Sequence, residues 1–296
     1  MLASLLALTL VAQVCTGLDA GCSIPVVQCT PPDSGVLPDA TVGDAGVAPS
    51  TAATISMNIA GGGGSRSVLE VVTASAAAAG RATLAVVLPG CSWTTIGARE
   101  MRLEPVVGDI AVVWLYTQGL ATAQCPDGRG AASPGWDTNQ RERDLTFLRG
   151  IVANARARRP NIDRVVIIGR SHGGGMAQAA ASDVTIGAHG VVLVVPFHTG
   201  PDLSRNVRVL HVANRSDRIV GSAGGIGWVE RAAASNGCAM FTPSMPTSPA
   251  VFRCSNATGC PAGRGVRSCI AESSAHDAPW FFPQEVADFL RTLRSS

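Results

Sequence analysis

Val165–Ala181 reads VVIIGRSHGGGMAQAAA. An apolar β-branched run ends at Gly169. The string G-x-S-x-G follows as Gly169-Arg170-Ser171-His172-Gly173, and an alanine-rich stretch of helical composition comes immediately after. Strand, tight turn and helix in that order thrust a serine out from the end of a sheet. Glycines on both sides of it let the backbone approach closely. The N-terminus of the following helix favours negative charge developing beside the serine. A short Gly/Ser string recurs by chance, and its bland reading is a Gly-rich turn with a surface serine. The strand before and the helix after make Ser171 the candidate nucleophile.

Working outward, apolar β-branched runs alternate with helical patterns. Strands are expected at Ile55–Ile59, Val68–Val72, Thr83–Leu88, Ile110–Tyr116, Arg164–Ile168, Gly190–Val195, Val207–Val212 and Val266–Ala271. Several are continuous apolar runs, as in strands buried on both faces. Helices are expected at Asn139–Arg158, Ser171–Ser182, Ile226–Asn236 and Pro283–Arg294. Leu145, Leu148, Ile151 and Val152 form one stripe of the first, and Pro160 ends it. The alternation argues an α/β fold with a mostly parallel central sheet flanked by helices. Gly61–Gly64 reads as a hairpin turn, since a phosphate loop would need a lysine and a following helix.

The chain has 296 residues, 46% hydrophobic and 15% charged, which excludes a disordered chain. All 23 basic residues are arginine, and the net charge of +2 gives no reason to expect a nucleic-acid partner. Residues 1–17 read as an apolar signal peptide, and no later run is long enough to span a bilayer. Cys15 and Cys22 each stand where a lipid acceptor would, but the residues before them fit that pattern only in part. Residues 18–50 read as a linker rich in Pro, Asp and Gly, and 51–296 as the catalytic domain. Nine cysteines are many for a reducing compartment. Outside the leader an even number remains, Cys22, Cys29, Cys91, Cys125, Cys238, Cys254, Cys260 and Cys269, which fits a disulfide framework in a secreted or cell-surface protein. No close Cys/His pair suggests a metal site.

A serine nucleophile needs a base and an acid, which follow it in chain order on this kind of sheet. Among five histidines, His172 adjoins the serine too closely to act as its base. His189 and His198 flank a strand, and His211 lies inside one. His276 follows the last strand and precedes the last helix, where the base belongs. Asp217 follows the preceding strand and is the expected acid, with Asp202 its rival. The oxyanion donors are expected to be the amides of Cys91, in the loop after Thr83–Leu88, and His172. Trp93, Trp136 and Trp280 fall in loops that should border the site, either as core packing or as cleft lining.

These segments together resemble the secreted polyhydroxybutyrate depolymerase / feruloyl and acetylxylan esterase group of α/β-hydrolases. LAVVLPGCSWTT (84–95) resembles that group's H-G-C-x-Q-T strand end, and RRPNIDRVVIIGRSHGGGMA (158–177) its elbow. YTQGLATAQCPDGRGAASPGW (116–136) is similar to its Tyr-Pro-Gln segment. LHVANRSDRIV (210–220) resembles its acid loop, and the Cys-rich stretch ending in HDAPW (276–280) its histidine loop. Pro89 stands where the group has histidine, and Ser274-Ala275 where it has Gly-Gly. The resemblance implies a secreted carboxylic ester hydrolase that needs no cofactor, with Ser171, Asp217 and His276 as the triad and an ester, polymeric or small, as substrate. The rival readings are a serine peptidase and a catalytically inactive tethered binding protein. A monomer is expected. The loop-rich segment before His276 should need covalent restraint. Four cysteines allow three pairings, of which Cys260 with Cys269 and Cys238 with Cys254 are expected, alongside Cys91 with Cys125.

Overall fold

The computed structural model describes residues 50–126, 130–197, 200–203, 207–246 and 252–295. The expected leader, nearly all of the expected linker, Cys15, Cys22, Cys29 and His198 lie outside the described residues. The first strand, β1 (Thr51–Ile59), pairs antiparallel with β2 (Gly64–Val72) across the expected Gly-rich hairpin turn. The short helix α1 (Ala74–Ala78) leads to β3 (Ala82–Leu88), and α2 (Thr95–Arg99) to β4 (Val112–Tyr116). A separate two-stranded ribbon, β5 (Leu120–Pro126) and β6 (Ala132–Gly135), precedes α3 (Glu142–Arg158). Then come β7 (Ile162–Arg170), α4 (His172–Ser182), β8 (Gly190–Val194), β9 (Arg208–Asn214) and α5 (Ala223–Ser235). The chain closes with β10 (Phe252–Asn256), β11 (Val266–Ala271) and α6 (Phe282–Arg294).

Nine strands form one sheet in the order β1-β2-β4-β3-β7-β8-β9-β11-β10. From β4 to β11 every pairing is parallel, and antiparallel strands finish both edges. Strand alternation sorts the apolar runs into two cores. Leu84, Val86 and Leu88 of β3 face α3, α4 and α5 through Phe147, Met176 and Trp228. Ala85 and Val87 face the other layer, where α6 contributes Phe282, Val286 and Leu290. Helices on both faces explain why β3, β4 and β8 are buried at every position. Because these strands are parallel, the segments that leave β3, β7, β9 and β11 emerge at one edge of the sheet, and that edge gathers the site.

Three disulfides are described, and two correct the expected pairing. Cys91–Cys125 joins the loop after β3 to β5, as expected. Cys254 bonds Cys269 rather than Cys238, because the two stand opposite each other in the β10–β11 register. Cys238 bonds Cys260 rather than Cys254, tying the end of α5 to the β10–β11 connection. The polar sequence of β10 (FRCSN) carries no strand pattern, so its cross-strand partner could not be read from sequence. The ribbon β5–β6 (LATAQCP and ASPG) holds one β-branched residue, Thr122, and carries no strand pattern either. No described helix is long and apolar enough to cross a membrane.

Candidate active site

Ser171 sits between the end of β7 and the start of α4 with φ 50° and ψ −122°. A non-glycine residue held there costs of order 1–3 kcal/mol, so the surroundings must impose it. Its N–H donates to Val194 O (3.0 Å), and its carbonyl accepts from the N–H groups of Gly174 and Phe197 (both 2.8 Å). The flanking glycines are required by close approach. A Cβ at Gly173 would lie 2.1 Å from Leu88 O, and one at Gly169 2.4 Å from Gly173 O. Gly90, in the loop after β3, passes over the serine, where a Cβ would come 3.2 Å from Ser171 Cβ.

His276 and Asp217 converge on this serine. Ser171 Oγ lies 2.7 Å from His276 Nε2, in position to donate to it. His276 Nδ1 lies 2.7 Å from Asp217 Oδ2, placed to donate its proton there. The Asp217 side chain is 1% exposed. Burial pushes its carboxyl up, but hydrogen bonds from His276 and from the amides of Ile219 and Val220 outweigh this and hold it below the ordinary carboxylate value. Asp202, the rival acid, lies on the surface and pairs with Arg231 at 2.7 Å. His211 is buried beside Ser268 Oγ (3.0 Å), and the ring of His189 accepts from the Val165 amide.

The remaining expected residues fall in different surroundings. His172 opens α4, where first-turn amides have no acceptor within the helix. Its ring turns away from the serine. Nδ1 accepts from Trp136 N–H (3.3 Å), and Nε2 donates to Gln124 Oε1 (3.3 Å). Burial lowers its pKa, which favours the neutral ring. In the loop after β3 the Ser92 amide donates to Pro134 O (2.7 Å). Trp93 is half-buried and stacks on the Arg170 guanidinium at 4.1 Å. Trp136 is a correction: it lies wholly in the core, lines no cleft, and its indole N–H holds Pro89 O at 3.0 Å. Trp280 is 80% exposed and packs edge-on against Phe252 and Phe281.

Sequence reading missed Gln124, Arg170 and Asn214. Gln124 Oε1 also accepts from the amide and hydroxyl of Thr138, fixing the His172 ring from the ribbon. Arg170 and Asn214 are the last residues of β7 and β9. A polar residue that ends an apolar strand at the site edge was the available signal. Two groups of three metal-ligand atoms occur among the described residues, Cys91–Cys125–His172 and Cys254–Cys269–Glu285. In both, the sulfurs are already joined as disulfides and offer no thiolate.

No family model matches the chain, and no curated protein does. Solved structures do. An α/β-hydrolase enzyme from a Medee basin deep-sea metagenome library is similar with a TM-score of 0.56 and 14% identity, covering 82% of this chain and 98% of that one. The chain has the α/β-hydrolase fold. An acetyl xylan esterase from Aspergillus awamori is similar with a TM-score of 0.55 and 10% identity, covering 83% of this chain and 100% of that one. For a dienelactone hydrolase from Anabaena variabilis the values are 0.52 and 13%, covering 83% and 98%. At these identities the likeness is one of fold. On this fold the candidate nucleophile, acid and base follow one another in the usual chain order.

Proposed function

We propose that this α/β-hydrolase is a secreted serine esterase that cleaves carboxylic esters through an acyl-enzyme. The observation that carries the reading is the run of two 2.7 Å contacts from Ser171 Oγ through His276 to Asp217. Ser171 attacks the ester carbonyl as His276 Nε2 takes its proton, and Asp217 orients the ring and stabilises the imidazolium. The amides of Cys91 and His172 stabilise the oxyanion, and the proton passes to the leaving alcohol. Water then cleaves the acyl-enzyme with His276 again as base, and no cofactor takes part.

The substrate is an ester with an apolar acyl part, of the polyhydroxyalkanoate-type polyester or the feruloyl and acetyl ester kind. Ile96, Phe197, Ile219 and Trp280 are exposed, and each lies in a connection that leaves a parallel strand at the site edge. An apolar rim of this sort favours the polyester, whose surface is itself apolar. The names of neighbouring structures, an acetyl xylan esterase among them, support ester chemistry. The apolar leader and the disulfides support export. The test is hydrolysis of p-nitrophenyl esters, polyhydroxybutyrate and feruloylated and acetylated xylan by the purified chain. Ester turnover without cleavage of peptide amides is expected, and Ser171→Ala should lower it by about 10⁶-fold. Unchanged turnover in Ser171→Ala would sink the reading.

A further inference from the structure

His276 stands in a segment with no regular structure, residues 272–281, between β11 and α6. Both disulfides of this region lie outside that segment, so covalent restraint stops at Cys269. Three consecutive carbonyls of the segment are nevertheless held. Asn214 Nδ2 donates to Ala275 O (2.8 Å) and to Asp277 O (2.9 Å), and Arg170 Nη2 donates to His276 O between them (2.9 Å). The two donors end β7 and β9, separated in the sheet only by β8.

Both donors are poorly exposed, Asn214 at 2% and Arg170 at 7%. Hydrogen bonds in such places are strong because water does not compete for them. Asn214 engages through its amide hydrogens alone, since its Oδ1 is buried with no partner. Arg170 is itself fixed by the face of Trp93 beside it and by Asp277 Oδ1 at 3.2 Å. The Asp277 side chain is 84% exposed, which makes it the weaker anchor.

We propose that Arg170 and Asn214 are positioning residues, a clamp on the backbone of residues 275–277 that keeps His276 Nε2 within reach of Ser171 Oγ. The proposal rests on the esterase reading for its kinetic consequence. Its structural consequence is independent of that reading. Misplacing a reacting group by about 1 Å can lower a rate on the order of 10²-fold. The nucleophile follows β7 and its base follows β11, and these three hydrogen bonds register one against the other.

The test compares the full chain with Asn214→Ala, Arg170→Gln, Arg170→Lys and the double variant Asn214→Ala/Arg170→Gln. Each is measured for kcat and KM on p-nitrophenyl butyrate, for thermal unfolding, and for the downfield imidazole N–H resonance of the His276–Asp217 contact. Each single removal should lower kcat by about 10–100-fold, with KM moving less than about threefold. Arg170→Lys should recover part of the loss, because an ammonium can still donate to a carbonyl. The double variant should lose less than the product of the singles, since both residues act through one segment. The downfield resonance should weaken or vanish in Asn214→Ala and Arg170→Gln. Folded single variants with wild-type kcat, or losses that multiply, would overturn the clamp. A resonance unchanged in both would overturn it even if the chain hydrolysed no ester, an outcome that by itself removes only the esterase reading.

Discussion

The elbow around Ser171 and the segment around His276 hold their side chains by different means. The serine is fixed by backbone: amide and carbonyl are both engaged, and two glycines pack carbonyl against Cα where no side chain fits. Apart from Leu88 and Gly90 around the end of β3, and Val194 and Phe197 around the end of β8, its determinants lie within a few residues of one another. The histidine is fixed by side chains from far along the chain. Arg170 acts across 106 residues and Asn214 across 61 and 63. A site half built locally and half built by distant donors fails in two distinguishable ways. Damage to the elbow lowers stability and activity together. Damage to the donors lowers activity even in the protein that remains folded.

Breaking the pairing at its far end has the largest expected effect. Asp217→Asn should lower kcat on esters by about 10⁴-fold, because the ring loses its orienting acceptor. The same carboxylate sets an acid limit. Its folded pKa lies below the unfolded value, so its contribution is fully present above the ordinary carboxylate range and is lost only as pH falls through the depressed value. A pH–stability curve whose Asp217-dependent part, read against Asp217→Asn, disappears already above that range would contradict the hydrogen-bond pattern.

Elbow damage should look different. Gly173→Ala places a methyl against backbone carbonyls of Leu88 and Pro89, which cannot swing aside as a side chain could. A stability loss at or above the roughly 1–3 kcal/mol typical of overpacking is expected, with activity falling in step on urea titration. A stable, inactive variant would show that the two regions do not differ as described.

The disulfide beyond the histidine segment sharpens the contrast. Cys254→Ser with Cys269→Ser should cost roughly 2–4 kcal/mol of stability. In the protein that remains folded, kcat should stay within about threefold, because the bond joins strands and leaves the segment to its donors. The smallest effect is expected at Trp136→Phe. It removes the hydrogen bond to Pro89 O, for a loss of about 1 kcal/mol and a modest slowing if the oxyanion loop shifts. Denaturant midpoints and steady-state rates check both.

How much of this was legible follows from where each determinant lies. ATLAVVL and GVVLV announce buried parallel strands through their own composition, and the elbow carries its strand, turn and helix in one continuous string. The convergence of Asp217 and His276 on Ser171 was readable because strand order on such a sheet brings the loops after particular strands to the elbow. Strand β10 is polar and the ribbon β5–β6 holds a single β-branched residue, Thr122, so only their partners make them strands. The exchange of partners among Cys238, Cys254, Cys260 and Cys269 has the same origin, since β10 sets the register that pairs 254 with 269. Trp136 looked like a loop residue because the ribbon that carries it into the core was not visible. Arg170 and Asn214 show in the sequence only as polar ends of apolar strands, because their acceptors are backbone carbonyls, which have no sequence signature.

The most direct measurement is the rate at which a fluorophosphonate adds to the intact chain, followed by whole-protein mass and peptide mapping. One adduct per chain on the peptide containing Ser171 is expected, formed several orders of magnitude more slowly in His276→Gln while the variant remains folded. An adduct on another residue, or an equal rate in His276→Gln, would contradict the account.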